Sequence, residues 1–230
     1  MFNTDKLVRY PKSNDPSLQA WDASDQLLVE TLINDIQDLH NKKILIINDS
    51  FGAISAQLEQ FCPQIYVDSF NSAKAIKENL SSTVQIEMDL EKIEGVFDLI
   101  LIKIPKNMSF LEDILIHISR LMTLESKLIC SSMIKHLPKK SFDLINEYIG
   151  VTQTSLAKKK ARLIFANFEK KQSIDKYPLK VKINPWEHLF INHSNLFSRE
   201  KLDIGTRFFL ENIPVVNASK ILDLGCANGI

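Results

Sequence analysis

Residues 44–52 read ILIINDSFG, and residues 221–230 read ILDLGCANGI. Each opens on a short apolar run with the character of a buried strand and passes into a loop of small residues. In register, Ile44 falls on Ile221, Leu45 on Leu222, Ile46 on Asp223, Asn48 on Gly225, Ser50 on Ala227 and Gly52 on Gly229. The offset of 177 residues is the size of a domain. The pair reads as an internal duplication whose second copy stops just after its first loop. The chain is therefore expected to be a fragment or truncated product of a longer protein.

Strand and helix alternate outward from residue 44. FGAISAQLEQF reads as a helix, IYVD as a strand ending in Asp68, NSAKAIKENL as a helix and TVQIEM as a strand. VFDLILIKI is a long apolar strand, NMSFLEDILIHISRLM an amphipathic helix, KLICSS a strand and KKSFDLINEYI a helix. VTQTSLA and ARLIFANF then read as a β-hairpin with Lys158, Lys159 and Lys160 at its tip. Upstream, Asp15-Pro16-Ser17 reads as a helix start, followed by Leu18, Trp21, Leu28, Leu32, Ile36 and Leu39 at helical spacing. Strands that are apolar throughout belong to a parallel sheet covered on both faces, and the hairpin adds an antiparallel edge. This predicts an α/β, Rossmann-like, seven-stranded methyltransferase fold over residues 1–169. Residues 170–218 read as a linker and pre-catalytic segment, with a short hairpin around Asn184-Pro185 and a helix over LDIGTRFFLENI. Residues 219–230 read as the first strand and loop of a second, catalytic domain.

Composition sets the outer bounds. The chain has 230 residues, 45% of them apolar and 24% charged, the mix of a globular protein. No apolar run reaches membrane-spanning length, and the polar start has no signal-peptide core. Cys62, Cys130 and Cys226 are far apart, and the five histidines show no ligand spacing. That excludes a disulfide framework and a zinc module, and places the protein in a reducing cytoplasm. Net charge is zero but uneven. Residues 15–100 hold 15 acidic and 5 basic side chains, whereas residues 101–182 hold 7 acidic and 16 basic. Such asymmetry suits one face to a polyanion.

The two loops differ in chemistry. A strand–helix turn that carries S-adenosylmethionine needs small residues so that backbone can approach the ligand, usually an acidic residue and then glycines at alternate positions. The second copy supplies Asp223, Gly225, Ala227 and Gly229, departing only at Ala227. The first supplies Ile46, Asn48, Ser50 and Gly52, and so reads as degenerate. Asp68 stands where a ribose-binding carboxylate would be, or is a loop residue. Enzymes that methylate exocyclic amines of bases often carry Asn-Pro-Pro-aromatic after the fourth strand; here the strand ends Lys103-Ile104-Pro105-Lys106. For phosphate contacts the candidates are the tip, Lys158, Lys159, Lys160 and Arg162, then Lys135, Lys139 and Lys140, then Lys103 and Lys106. The alternative for the tip is a solvated turn. Trp21 and Trp186 read as core or packing residues.

LQAWDASDQLL, ILIINDSFGAIS, LAKKKARLIFANF, NLFSREKLDIGTRFFL and ILDLGCANG together resemble the large-subunit ribosomal RNA guanine methyltransferase G family, with methyltransferase C of the small subunit as its sister. The resemblance runs over essentially the whole chain. It implies two tandem methyltransferase-like domains, the first degenerate and supporting RNA recognition. The second would bind S-adenosylmethionine and methylate the exocyclic amine of a guanine in 23S ribosomal RNA. It also implies cofactor roles for Asp223, Gly225, Ala227 and Gly229, and a place beside the cofactor cleft for Phe197, Asp203, Gly205 and Thr206. The expected partner is ribosomal RNA, protein-free or in early assembly, met by a monomer with no membrane contact. No catalytic residue, bound cofactor or activity is expected of these 230 residues alone. Competing readings are a non-catalytic interaction module and a stand-alone small-molecule methyltransferase, against which Asn48 and Ser50 argue. A nicotinamide oxidoreductase would need G-x-G-x-x-G after the first strand, and neither copy has it.

Overall fold

The computed structural model describes residues 2–35, 39–81, 84–169, 174–183, 188–214, 217 and 219–229. The chain divides into two compact units, Met1–Ser173 and Ile174–Ile230.

In the first unit the strands are β1 (Ile44–Ile47), β2 (Gln64–Tyr66), β3 (Ile86–Glu87), β4 (Leu99–Lys103), β5 (Lys127–Met133), β6 (Thr152–Thr154) and β7 (Ala161–Asn167). They form one sheet in the order β3-β2-β1-β4-β5-β7-β6. β1 to β5 are parallel, and β7 runs antiparallel to both β5 and β6. The helices are α1 (Ala23–Asp35), α2 (Ala53–Gln57), α3 (Phe70–Asn79), α4 (Met108–Ile118) and α5 (Lys139–Tyr148). The run ILII is apolar at every position because both faces are covered. Ile44 and Ile46 pack with Leu28 and Leu32 of α1, Ile54 of α2 and Ile76 of α3. Leu45 and Ile47 pack with Phe110, Leu111 and Ile114 of α4 and Leu144 of α5. Each such side chain buried on folding contributes about 1.5–3 kcal/mol, and side-chain alternation along a strand splits the core into these two layers.

The first helix starts later than its sequence suggests. Asp15 closes a single turn, accepting from Ser17 N at 2.9 Å. The helix itself begins at Ala23, where Asp22 accepts from Ser24 N and Asp25 answers by accepting from Asp22 N, both at 2.8 Å. This reciprocal cap outcompetes Asp-Pro-Ser because it satisfies two orphan donors at once.

In the second unit β8 (Leu179–Lys182) and β9 (Leu189–Asn192) pair antiparallel, and α6 (Ile204–Glu211) follows. The tip of that hairpin, Asn184 and Pro185, and also Trp186, lie outside the described residues. Residues 221–224, expected as a strand, are not one. Among the described residues no strand lies beside them, so their backbone finds no ladder. Ile221, Leu222 and Leu224 are exposed. Among the described residues no helix is long and apolar enough to cross a membrane.

Candidate functional site

In a sheet ordered β3-β2-β1-β4, the winding reverses between β1 and β4, and ligands of such sheets bind outside the carboxyl ends of those strands. In the first unit that place is filled by the chain's own side chains. Asn48 follows β1 and donates its side-chain amide to Lys103 O at the end of β4, 2.8 Å away. Asp49 is buried and accepts from Gly52 N and Ala53 N at 3.1 Å and from Ser55 N and Oγ at 2.8 Å. The opening N–H groups of α2, which an anionic ligand group would need, are thereby taken. The N-terminal arm crosses above. Val8 N donates to the Asn79 side chain at 2.8 Å, the Asn79 amide donates to Val8 O and Phe51 O at 2.7 Å, and the Arg9 guanidinium lies 4.5 Å from the Phe51 ring centre.

Lys103, expected as a phosphate contact, is corrected to an internal counter-ion. Its ammonium lies 2.9 Å from Asp22 and 2.5 Å from Asp25, with the side chain 19% exposed. Burial pulls the ammonium down in pKa, and Asp25 and Asp22 more than offset this, leaving it above the ordinary lysine value. Burial pushes the Asp25 carboxyl up to about 6; the Lys103 charge opposes this, and the Asp22 and Asp49 charges add to it. Burial also raises Asp49. For Asp22 burial is outweighed by Lys103 and Ser24, which hold it below the usual range. One ammonium cannot satisfy three carboxylates, so the most enclosed ones hold protons more tightly. This crevice does not fit S-adenosylmethionine, because its polar atoms are already partnered with each other.

The loop of the second unit is different. A cavity of about 430 Å³ is lined by Phe197, Asp203, Gly205, Thr206, Asp223, Gly225 and Ala227, with Lys201, Phe209 and Asn228 beside them. Seven of the eight residues expected around a cofactor thus meet at one cavity; Gly229 is not on its wall. Asp203 caps α6, accepting from Gly205 N at 2.8 Å and Thr206 N at 3.2 Å. Gly225 and Gly229 have φ of 81° and 78°, and their counterparts at the 177-residue offset, Asn48 and Gly52, have 64° and 81°. The two loops share backbone conformation at those two positions. Among the described residues, no atom beyond Gly225 itself and its chain neighbours lies within 4 Å of where a Cβ would stand on it, so its backbone is open to a ligand. The sequence reading missed Lys201, Phe209 and Asn228, although Phe209 is four residues beyond Gly205 on the same helix face.

The lysines form a third feature. Lys106, Lys135, Lys139, Lys140, Lys158, Lys159 and Lys160 are exposed. They follow the carboxyl ends of β4 and β5 or form the tip before β7, so they share one end of the sheet. Ile134 N donates to Lys160 O at 2.8 Å, which sets the Lys135 segment against the tip. α5 follows Pro138, which gives it no side-chain cap, and carries Lys139 and Lys140 in its first turn. The tip is more than a solvated turn. Lys158 pairs with Glu30 at 2.7 Å, and Lys159 donates to Gln26 at 3.1 Å. Lys159 and Lys160 have φ of 50° and 61°, a two-residue turn that favours Asn-Gly and costs about 1 kcal/mol or more per lysine. Arg162 stands apart, half-buried opposite Ser132, with its Nε enclosed and unpartnered. Asp68 is an exposed loop residue just before Ser69, the cap of α3.

A family model described as the RLMG N-terminal domain matches residues 1–170, and one described as the methyltransferase small domain matches residues 187–230. The ribosomal RNA large subunit methyltransferase G of Pseudoalteromonas atlantica is 38% identical, over 98% of this chain and 61% of that protein. Its namesake in Pseudomonas syringae is 37% identical, over 97% and 62%. The chain thus spans about three fifths of the length of these curated relatives. Among solved structures, the T. thermophilus 16S rRNA N2 G1207 methyltransferase in complex with AdoMet and guanosine aligns with a TM-score of 0.63 at 18% identity, over 83% of this chain and 51% of that one. Precorrin 8w decarboxylase of Methanobacterium thermoautotrophicum aligns with a TM-score of 0.55 at 12% identity, over 73% and 100%. At these identities the structural likeness speaks for the fold.

Proposed function

The chain belongs to the family described as the RLMG N-terminal domain, and on that premise we propose that it is the RNA-recognition half, with the opening of the cofactor domain, of an S-adenosylmethionine-dependent methyltransferase. The substrate is 23S ribosomal RNA, and the group methylated is the exocyclic amine of a guanine. What carries this reading is a division of labour between two equivalent loops. In the first unit the crevice is filled by Asp49, Lys103 and Asn48, and exposed lysines crowd the same end of the sheet. In the second the loop of Gly225 keeps an open backbone.

Each residue set then has a task. Residues 1–169 form the degenerate methyltransferase-like domain and hold RNA through phosphate contacts at Lys135, Lys139, Lys140, Lys158, Lys159 and Lys160. Such contacts release condensed counterions and need little geometric detail. Residues 170–218 lead into the cofactor loop, and residues 219–230 begin the catalytic domain. Asp223, Gly225, Ala227 and Gly229, bordered by Phe197, Asp203, Gly205 and Thr206, would hold S-adenosylmethionine, which supplies an electrophilic methyl group on sulfur. Choice of the guanine falls to a pocket that receives the extruded base, and the Asn-Pro-Pro-aromatic signature of such pockets does not occur in these 230 residues. We assign no catalysis to these residues alone. The setting is the reducing cytoplasm where ribosomal RNA is made.

The test is a filter-binding titration with a 23S ribosomal RNA transcript over a range of salt. Affinity that falls steeply and linearly with log salt is expected. Affinity independent of salt would refute the phosphate-binding role.

A further inference from the structure

A second open cavity, also of about 430 Å³, lies where the N-terminal arm, the start of α1 and the hairpin tip converge. Its wall includes Arg9, Gln19, Trp21, Asp22, Gln26 and Lys159. Trp21, expected as a core or packing residue, is half-exposed on this wall and packs on Phe2, edge-on at 5.5 Å. Arg9 is held in place by Phe51 behind it and by Gln19 O, to which its guanidinium donates at 3.1 Å. Lys159 is aimed by the left-handed turn and by Gln26. The one acid, Asp22, already has Lys103 as counter-ion. The cavity therefore combines an indole, two cations and the side-chain amide of Gln19, with that of Gln26 engaged by Glu30 and Lys159, at a volume within the range of small-ligand pockets.

We propose that this cavity is a nucleotide-binding pocket for single-stranded RNA. The base stacks on Trp21, the side-chain amide of Gln19 meets its edge, and Arg9 and Lys159 take the flanking phosphates. Aromatic rings with interleaved cations are the chemistry of single-strand binding, because every base has a π-face. From the cavity the chain's exposed cations continue through Lys160 to Lys135, so the strand has an electrostatic track to follow. The left-handed conformation of Lys159 supports the inference: strain kept at an exposed turn where asparagine or glycine would be easier suggests a use for the lysine. This proposal rests on the RNA-binding reading and deepens it.

The test uses the whole chain with decauridylate as probe. Trp186→Phe leaves Trp21 as the only tryptophan. Saturable change of its fluorescence is expected, with the same midpoint as the anisotropy of labelled probe. Trp21→Leu keeps an apolar partner for Phe2 and should weaken binding about tenfold at fixed salt. Arg9→Gln with Lys159→Asn should lower the slope of log affinity against log salt by about 1.4, two single-strand contacts. Asn tolerates positive φ, so thermal stability should hold or rise; if it falls, Arg9→Gln alone decides, with an expected slope change of about 0.7. If the unmodified chain binds no decauridylate, the RNA reading and the pocket both fall. If it binds, but Trp21 stays silent and the variants match it, the pocket alone is overturned.

Discussion

Replacing Lys103 by Met should unfold the first unit's crevice from within. Met retains much of the apolar stem and removes the ammonium shared by Asp22 and Asp25. Asp25 and Asp49 are 2% and 1% exposed, so water cannot replace the lost cation. Removing one partner of a buried ion pair costs about 3–5 kcal/mol. The cost must depend on pH, and its sign follows from the carboxyls. In the unmodified chain the Asp25 pKa is raised from 3.8 to about 6, so the folded state binds more protons than the unfolded one between those values. Stability from this group is full below the unfolded pKa and is lost as pH rises through about 6, a total of about 3 kcal/mol. Without Lys103 the pKa moves higher still, because an attraction that opposed burial is gone. The loss caused by Lys103→Met should therefore be largest at pH 7.5 and shrink by about 2 kcal/mol at pH 5, where the variant's carboxyls are protonated. Urea unfolding followed by far-ultraviolet circular dichroism at the two pH values reads this directly. A loss below about 1 kcal/mol at pH 7.5, or one that grows at pH 5, would refute the account of a buried, cation-starved cluster.

Asp25→Asn removes the group that titrates, so the stability of this variant relative to the parent should rise with pH between 4 and 7 by up to about 3 kcal/mol; parallel pH profiles would contradict it. Replacing Lys158, Lys159 and Lys160 together by Ala should change the salt slope of RNA binding by about 2. The accompanying stability loss should be under about 1 kcal/mol per broken contact, since Lys158–Glu30 and Lys159–Gln26 are exposed; unchanged affinity and slope would move the RNA path elsewhere. Calorimetry with S-adenosylmethionine should give no saturable heat at submillimolar ligand, because the first crevice is filled and the second loop lacks a surrounding sheet among the described residues. A micromolar, stoichiometric titration would count against that.

Much of this protein was legible along the chain because its signals are local. Four consecutive apolar residues in ILII announce a strand covered on both faces, and the 177-residue register picked out the positions where both loops turn through positive φ. Phe197, Asp203 and Gly225 meet at one cavity although the first and last stand 28 positions apart, a grouping that only the family resemblance had implied. What the sequence could not disclose is which charges face each other. Lys103 reads as an exposed cation at the end of a strand, and becomes an internal counter-ion because α1 packs on β5 and β7, beside β4, bringing Asp25 to it across 78 residues. Lys159 meets Gln26 across 133 residues, which brings the hairpin tip to the cavity that Trp21 lines. Local pattern decides which segments become strands and helices, since the pleat and the helical turn repeat within a few residues. The partners of a long charged side chain are set by sheet order and helix placement, which exist only once the whole chain has folded.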